Sequence, residues 1–322
     1  KLTLNAYNCT RLKVLYPLNP KIQGISSTTA KLQTNTQPLL NYYVKTAYNC
    51  CCPGNYKNDY VNLCSLKNAI KQGCRCLDFE IYSINNEPVV AASAVDNFNI
   101  KQTYNSLPFE EVMMTVRNYA FSGSAAPNET DPLILHFRIM SIHKDIYNQI
   151  ATIIDKYLKD KLLDNKYCKN NIYNAKKYHT KKPGDKIYDL KNLPLKNLEN
   201  KIIIIINKKN YIFEDTDLDE YIHMVSNDKD MISKRYNEVI NIHNSNELKE
   251  KCKNFFMICL PDLEENPNNP NPIILYEYGC QFIAMKLHTQ DGNLRAYNDD
   301  LFKNTAFVLK PQSKRFIQNK VG

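Results

Sequence analysis

Short apolar runs recur along this chain, and stretches with apolar residues three and four apart lie between them. The runs at 39–44, 74–81, 88–92, 133–139, 201–206, 255–260, 281–287 and 306–309 predict strands. After its first residue the 201–206 run is uninterrupted Ile, the pattern of a strand covered on both faces. Four helices are predicted between the runs. One spans 66–72, capped by Ser65 and stopped by Gly73. Another, 109–121, opens behind Pro108 with Glu110 and Glu111 in its first turn, where carboxylates suit the positive helix end. A third, 143–163, puts Ile146, Ile150, Ile153, Tyr157 and Leu158 on one face, and a fourth, 230–240, does so with Ile232, Tyr236 and Val239. Strand and helix alternating in this way predict a mostly parallel sheet. Seven or eight strands over about 270 residues suit a closed α/β barrel of the (β/α)8 TIM type better than an open sheet.

The rest of the chain falls around that barrel. Residues 1–37 lack periodicity and predict an irregular arm, and 312–322 a tail. Within 38–311, the pattern gives a first half at 38–160, a Lys-rich connection at 161–200 and a second half at 201–311. The second half contains an acidic, exposed linker at about 210–250. No apolar run approaches the roughly 18 residues that cross a bilayer.

Charge changes the picture in one place. The net charge is +9, yet residues 156–209 alone hold fifteen Lys against five acidic residues, a local +10, so the remainder sums to −1. Such a segment attracts an anionic surface, or is simply a solvated face. Every cation in it is Lys, which favours diffuse attraction to an anionic surface, lipid headgroups or nucleic acid, over specific reading of phosphate. The eleven Cys include no CxxC pair, which argues against a zinc ribbon, and the number is odd. Cys74 and Cys76 would share one face of a strand. The simplest reading is of buried thiols in a reducing compartment, hence an intracellular or virion-associated protein. Heavy use of Asn, Lys, Ile and Tyr points to an AT-rich genome, such as a parasite's or a large DNA virus's. Asn8-Cys9-Thr10 and Asn128-Glu129-Thr130 fit the glycosylation pattern.

Several separated motifs carry a family likeness. NAIKQGCRCLDFE at 68–80 resembles the "AL..GCRCVELD" strand of phosphoinositide-specific phospholipase C. EPVV at 87–90, the helix at 109–121 and PLIL at 132–135 resemble its next elements. GCQFIA at 279–284, then Leu301-Phe302 and VLKP at 308–311, resemble the close of its second half-barrel. The resemblance implies a distorted (β/α)8 barrel of the phospholipase-C-like phosphodiesterase fold, with its site at the strand C-termini.

In that family one His is general acid and base, and a second stabilises the phosphorane. An Asn and three carboxylates hold a calcium ion that lowers the hydroxyl pKa. The resemblance puts the first His at Tyr48 and the second at Ala92. The Asn survives as Asn49, two carboxylates as Asp78 and Glu80 with their lengths exchanged, and the third carboxylate position is Arg138. A phenol is a poor base near neutrality, and an alanine cannot donate to phosphate. Arg138 is a fixed cation where the ion's charge would sit, and it is expected to pair with Asp78 and Glu80. Lys208 stands for one of two substrate-phosphate lysines, the family's inositol-contacting Arg and Tyr fall on Ile258 and Leu260, and Asn269 matches a motif Asn. His136 and His288 are the histidines placed to rebuild a site, or else are hydrogen-bonded interior and strand-end residues.

These substitutions imply an inactive homologue that serves as a scaffold, virion-associated or anionic-membrane-binding module. No cofactor is expected, and Asn49, Asp78 and Glu80 are remnants of a calcium cage. The implied partners are a lipid surface or other virion or scaffold proteins. The alternative is an active phosphoric diester hydrolase, acting on a phosphoinositide or related phosphodiester through a calcium-independent, Arg-assisted site. If it is active, calcium is the cofactor to test.

Overall fold

A computed structural model describes residues 2–27, 35–170 and 189–317. Eight parallel strands close a ring: β1 (Tyr42–Ala47), β2 (Cys76–Ile84), β5 (Leu133–Ile139), β6 (Ile202–Asn207), β7 (Met224–Ser226), β8 (Met231–Arg235), β9 (Phe256–Leu260) and β10 (Phe282–Met285). The ring shuts where Thr46 and Ala47 of β1 pair with Cys76 and Leu77 of β2. Antiparallel β3 (Glu87–Ala91) and the two-residue β4 (Leu107–Pro108) extend the sheet beside β2, and β11 (Phe307–Leu309) lies against β1. The predicted barrel class is therefore the observed one.

Every residue of β1, β5, β6 and β9 is buried, as expected of strands between a packed lumen and a jacket of helices. The jacket includes α2 (Leu63–Lys71), α3 (Phe109–Ala120) and α4 (Lys144–Leu158) in the first half. It continues through α5 (Tyr236–Ile240), α6 (Ser245–Asn254), α7 (Pro272–Tyr278) and α8 (Gly292–Ala296) in the second. Gly73 ends α2 at φ +75, and an added Cβ there would lie 2.9 Å from the Ile22 side chain.

Six expectations are corrected. The arm at 1–37 is not irregular throughout: Leu2–Leu15 form helix α1, and Leu12, Ile22 and Ile25 are buried. The segment 230–240 is not one helix, because Met231–Arg235 pair with β9 along their whole length and only then does α5 begin. The acidic stretch is not an exposed linker: it makes two short 3-10 turns that bury Phe213 and Leu218, and then β7 and β8. Cys74 precedes β2 rather than sharing it with Cys76, and α2 is capped by Asn62, whose side chain accepts from the Cys64 N–H. Finally, Cys9 and Cys64 form a disulfide across 55 residues of sequence, so a wholly reduced set of thiols is wrong. The nine other Cys are buried. Asn8 and Asn128 are buried too, their amides donating to Asp59 and Asp131, and neither presents its nitrogen to a glycan. Part of the Lys-rich connection, 171–188, and the last five residues of the tail lie outside the described residues.

Candidate active site

Strand period decides which side chains meet inside the barrel. Asp78 and Glu80, two apart on β2, face the same way, as do His136 and Arg138 on β5. The β2–β5 register sets Asp78 opposite His136 and Glu80 opposite Arg138. Tyr48 and Asn49 follow the last residue of β1, at the end of the barrel where chemistry sits in this architecture. Asn49 adopts φ 42, a left-handed conformation that Asn tolerates. Its backbone N–H donates to Asp78 Oδ2 at 3.1 Å and its side-chain amide to Glu80 Oε2 at 3.3 Å.

Arg138 sits at the centre. Its Nε and Nη2 donate to the two oxygens of Asp78 at 3.0 and 2.9 Å, a bidentate fork. Nη2 also donates to Asn49 Oδ1 at 2.7 Å, and Nη1 lies 3.5 Å from Glu80 Oε2. The remaining Glu80 oxygen accepts from Tyr82 Oη at 2.7 Å. Below this layer His136 bonds Asp78 Oδ1 through Nδ1 at 2.7 Å and Ser226 Oγ through Nε2 at 2.8 Å. Asn207 Nδ2 donates to the same Ser226 hydroxyl at 2.9 Å. Above it the Tyr48 ring lies 4.8 Å from the Arg138 guanidinium, a cation–π distance. Arg235 then donates to Tyr48 Oη at 3.0 Å and to the Pro261 carbonyl at 2.8 Å. Tyr56 meets the Tyr48 ring edge-on, with centroids 5.4 Å apart.

The centre of the cluster is sealed in: Asp78 and His136 are fully buried and Tyr48 is 4% exposed, while Arg235 at the mouth is half-buried. Burial alone would raise the Asp78 pKa, but the Arg138 charge and the bonds from His136 and Arg138 outweigh it and hold the carboxyl below its usual range. Burial likewise opposes the charge on Arg138, and Asp78 beside it restores that charge, holding the guanidinium above its ordinary value.

The other expected positions divide. Ala92 is buried just after Ala91, the residue registered with Glu80, and its methyl has nothing to donate. Lys208 turns away to Asp228, at 2.9 Å, and packs on the Tyr211 ring. The neighbouring Lys209 is ion-paired with Asp96; burial lowers its pKa, and the charges of Arg138 and Arg235 push it the same way. Ile258 and Leu260 are buried strand residues, and Asn269 is structural, bonding the Lys286 N–H and carbonyl. His288 is not at the cluster. It lies edge-on to Tyr56, and burial, then the Lys286 and Arg11 charges, push its pKa down to about 3.

Sequence reasoning missed Arg235 and Lys209. A signal existed: if 231–235 is read with period two, Met231, Ser233 and Arg235 share a face, and Ser233 does meet Asn207 inside the barrel. A calcium ion does not fit this donor set. Both oxygens of Asp78, both of Glu80 and the Asn49 carbonyl oxygen already accept from protein donors, and a guanidinium lies among them.

Comparison with known proteins bears on the family and the fold. The family described as phosphatidylinositol-specific phospholipase C, X domain, matches residues 35–209. The bovine 1-phosphatidylinositol 4,5-bisphosphate phosphodiesterase delta-4 is 28% identical over 96 residues, which are 30% of this chain and 11% of the bovine protein. Among solved structures, L. pealei PLC21 superposes with a TM-score of 0.66 at 16% identity, covering 88% of this chain and 39% of that one. A calcium-dependent phosphoinositol-specific phospholipase C from Pseudomonas sp. superposes with a TM-score of 0.50 at 10% identity, covering 81% of this chain and 94% of its own. The two structures share the barrel fold, and the sequence match runs over more than half of the chain, which belongs to the phosphatidylinositol-specific phospholipase C X-domain family.

Proposed function

We propose that this chain is a phosphoinositide-phospholipase-C barrel that no longer hydrolyses phosphodiesters and serves as a binding or scaffolding module. One observation carries the reading: the donors of Arg138 are taken up by Asp78, Asn49 and Glu80 beneath the Tyr48 ring, out of contact with water. The side chains that would handle a substrate and its metal instead satisfy one another. A general base contributes about 10²–10⁴-fold, and Tyr48 and Ala92 stand where the family keeps its two histidines. Arg138 supplies internally the charge that calcium supplies in the family, so this reading needs no cofactor. The partners it calls for are an anionic lipid surface, through the Lys-rich 156–209 stretch, or other scaffold or virion proteins.

The test is release of water-soluble inositol phosphates from vesicles carrying phosphatidylinositol or its 4,5-bisphosphate, with calcium and with a chelator. Background release in both conditions is expected. Calcium-dependent turnover above background would overturn the reading.

A second reading is favoured by Arg235. Among the described residues its side-chain bonds run to two neutral oxygens, Tyr48 Oη and the Pro261 carbonyl, and to no carboxylate. That arrangement suits an Arg-assisted, calcium-independent phosphodiester hydrolase in which His136 retains an acid–base pair with Asp78. Chelator-resistant turnover lost in Arg235→Ala, with folding intact, would favour it over the inert barrel.

A further inference from the structure

Helix α1 lies across the loop that leaves β1 at the Tyr48–Asn49 end of the barrel. Asn5, Asn8, Cys9 and Leu12 recur at helical spacing on the side that meets this loop. Asn5 accepts from the Asn62 amide at 3.1 Å, the Asn8 amide donates to Asp59 at 2.8 Å, and Arg11 donates to the Pro53 carbonyl at 3.3 Å. Cys9 is bonded to Cys64, in the first turn of α2. The approach is closest at Gly54, where an added Cβ would lie 2.6 Å from Asn8 Nδ2 and nearer still to Asp59 Oδ2.

What α1 holds in turn holds Tyr56. The Asp59 carboxylate accepts from the Asn55 and Tyr60 backbone N–H groups at 2.9 and 2.8 Å, as well as from Asn8, and so closes the turn that carries Tyr56. The Tyr56 hydroxyl is buried and makes no hydrogen bond among the described residues. Its ring is therefore placed by the loop backbone and by packing, edge-on to Tyr48 and to His288. Tyr48 roofs Arg138. A line of contacts thus runs from α1 through Asp59 and Tyr56 to the cover of the buried ionic cluster.

Little besides sulfur keeps α1 there. Leu12 is the one buried apolar side chain among its described residues, and its other contacts are polar groups that water can satisfy instead. A helix of 14 residues is marginal in water by itself. Cys9 and Cys64 are half-buried whereas the nine other Cys are buried, so this is the pair that a reductant in solution meets. Past the helix, Ile22 and Ile25 are buried. In the loop, the Tyr56 and Asn58 N–H groups donate to the Glu265 and Gln102 carbonyls at 2.9 and 3.0 Å. These anchors tie the arm and the loop to the barrel independently of α1, so loss of the sulfur bond loosens the cover without unfolding the ring of strands.

We propose that the Cys9–Cys64 bond is a redox latch on the barrel mouth. Oxidised, it clamps α1 on the 53–59 loop and keeps Tyr56 against Tyr48; reduced, it frees α1 and lets solvent reach both phenols. The reductant is a dithiol. One of its thiolates attacks the pair to form a mixed disulfide, and its second thiol displaces the protein sulfur. The Cys9–Cys64 bond breaks, the reductant leaves as its own disulfide, and two electrons and two protons end on Cys9 and Cys64 as thiols. The latch does not depend on whether the barrel hydrolyses a phosphodiester.

The full chain, oxidised and after mild treatment with dithiothreitol, would be acetylated with N-acetylimidazole and each Tyr read by mass spectrometry. In the oxidised chain the exposed Tyr7 and Tyr211 should react while Tyr48 and Tyr56 stay protected. Reduction should raise modification of Tyr56, and of Tyr48 beside it, about tenfold or more, as a local opening does. Tyr43 and Tyr297, buried in the barrel, should stay unmodified throughout. The Cys9→Ser/Cys64→Ser variant should show the reduced pattern without reductant and not respond to it. Equal modification of Tyr56 in both states, with alkylation showing Cys9 and Cys64 free after reduction, would overturn the latch. So would reaction of Tyr43 and Tyr297 together with Tyr56, because reduction would then unfold the barrel rather than open its mouth.

Discussion

Arg138 concentrates the energetics of the site in one side chain. Removing one member of a buried ion pair strands the other, typically at about 3–5 kcal/mol. Arg138→Ala should therefore cost that much in urea unfolding, because Asp78 would be left charged in the barrel interior. Arg138→Glu tests a different consequence: it restores the family's third carboxylate beside Asp78, Glu80 and Asn49. The variant should be less stable without metal and should gain melting temperature with millimolar calcium, while the native chain does not respond. Lys310 makes a pH prediction. It is fully buried, bonds only the Cys252 carbonyl in its described side-chain hydrogen bonding, and burial brings its pKa down to about 7. The folded value is below the unfolded one, so folding releases a proton between about pH 7 and 10.5. Its contribution to stability is present at high pH and lost as pH falls through 7. Lys310→Met should remove that dependence, so the variant's advantage over the native chain should be largest at pH 6–7. It should shrink by up to about 1.4 kcal/mol per pH unit on going alkaline.

At the scale of elements, legibility followed continuity. β5 and β6 could be read to within a residue because LILHFRI and IIIIIN are buried on both faces and leave no competing period. β7 could not, being three residues long, and β8 was read as helix because Ile232, Tyr236 and Val239 happen to fit a period of 3.6. Only pairing with β9, a tertiary fact, decides otherwise. Helices α6 and α7 escaped because SNELKEKCKN is almost wholly polar and PIILYEY is seven residues long. Helix α1 escaped because its core-facing positions are filled by Asn and Cys rather than by large apolar groups. The site divides in the same way. Asp78, Glu80, Arg138, Tyr48 and Asn49 were legible from motif and strand parity, whereas Arg235 was hidden by the misread strand that carries it. The Cys9–Cys64 bond was not legible, because eleven Cys allow many pairings. Since that bond closes 55 residues, its loss through Cys9→Ser should lower stability by about 2–4 kcal/mol, measured by denaturant unfolding. Digestion of the variant should begin within α1.

For the whole molecule, the ring of strands is unevenly stitched. β2 and β5 share six registered pairs, whereas β7 and β8 share one, Ser226 with Met231. Proteins open locally where backbone bonds are few. Deuterium exchange should thus be fastest, among the ring strands, at β7 and the start of β8, and slowest at β5 and β6.

That thin seam has a mechanical meaning for the buried charges. Ser226 is both its single registered stave on the β7 side and the hydroxyl that steadies His136 against Asp78. A momentary opening there that carried Ser226 outward would leave one imidazole nitrogen without its mate and let solvent reach a carboxylate otherwise kept dry. The barrel's weakest joint and its ionic heart are linked through one serine, so whatever tightens the first also quiets the second.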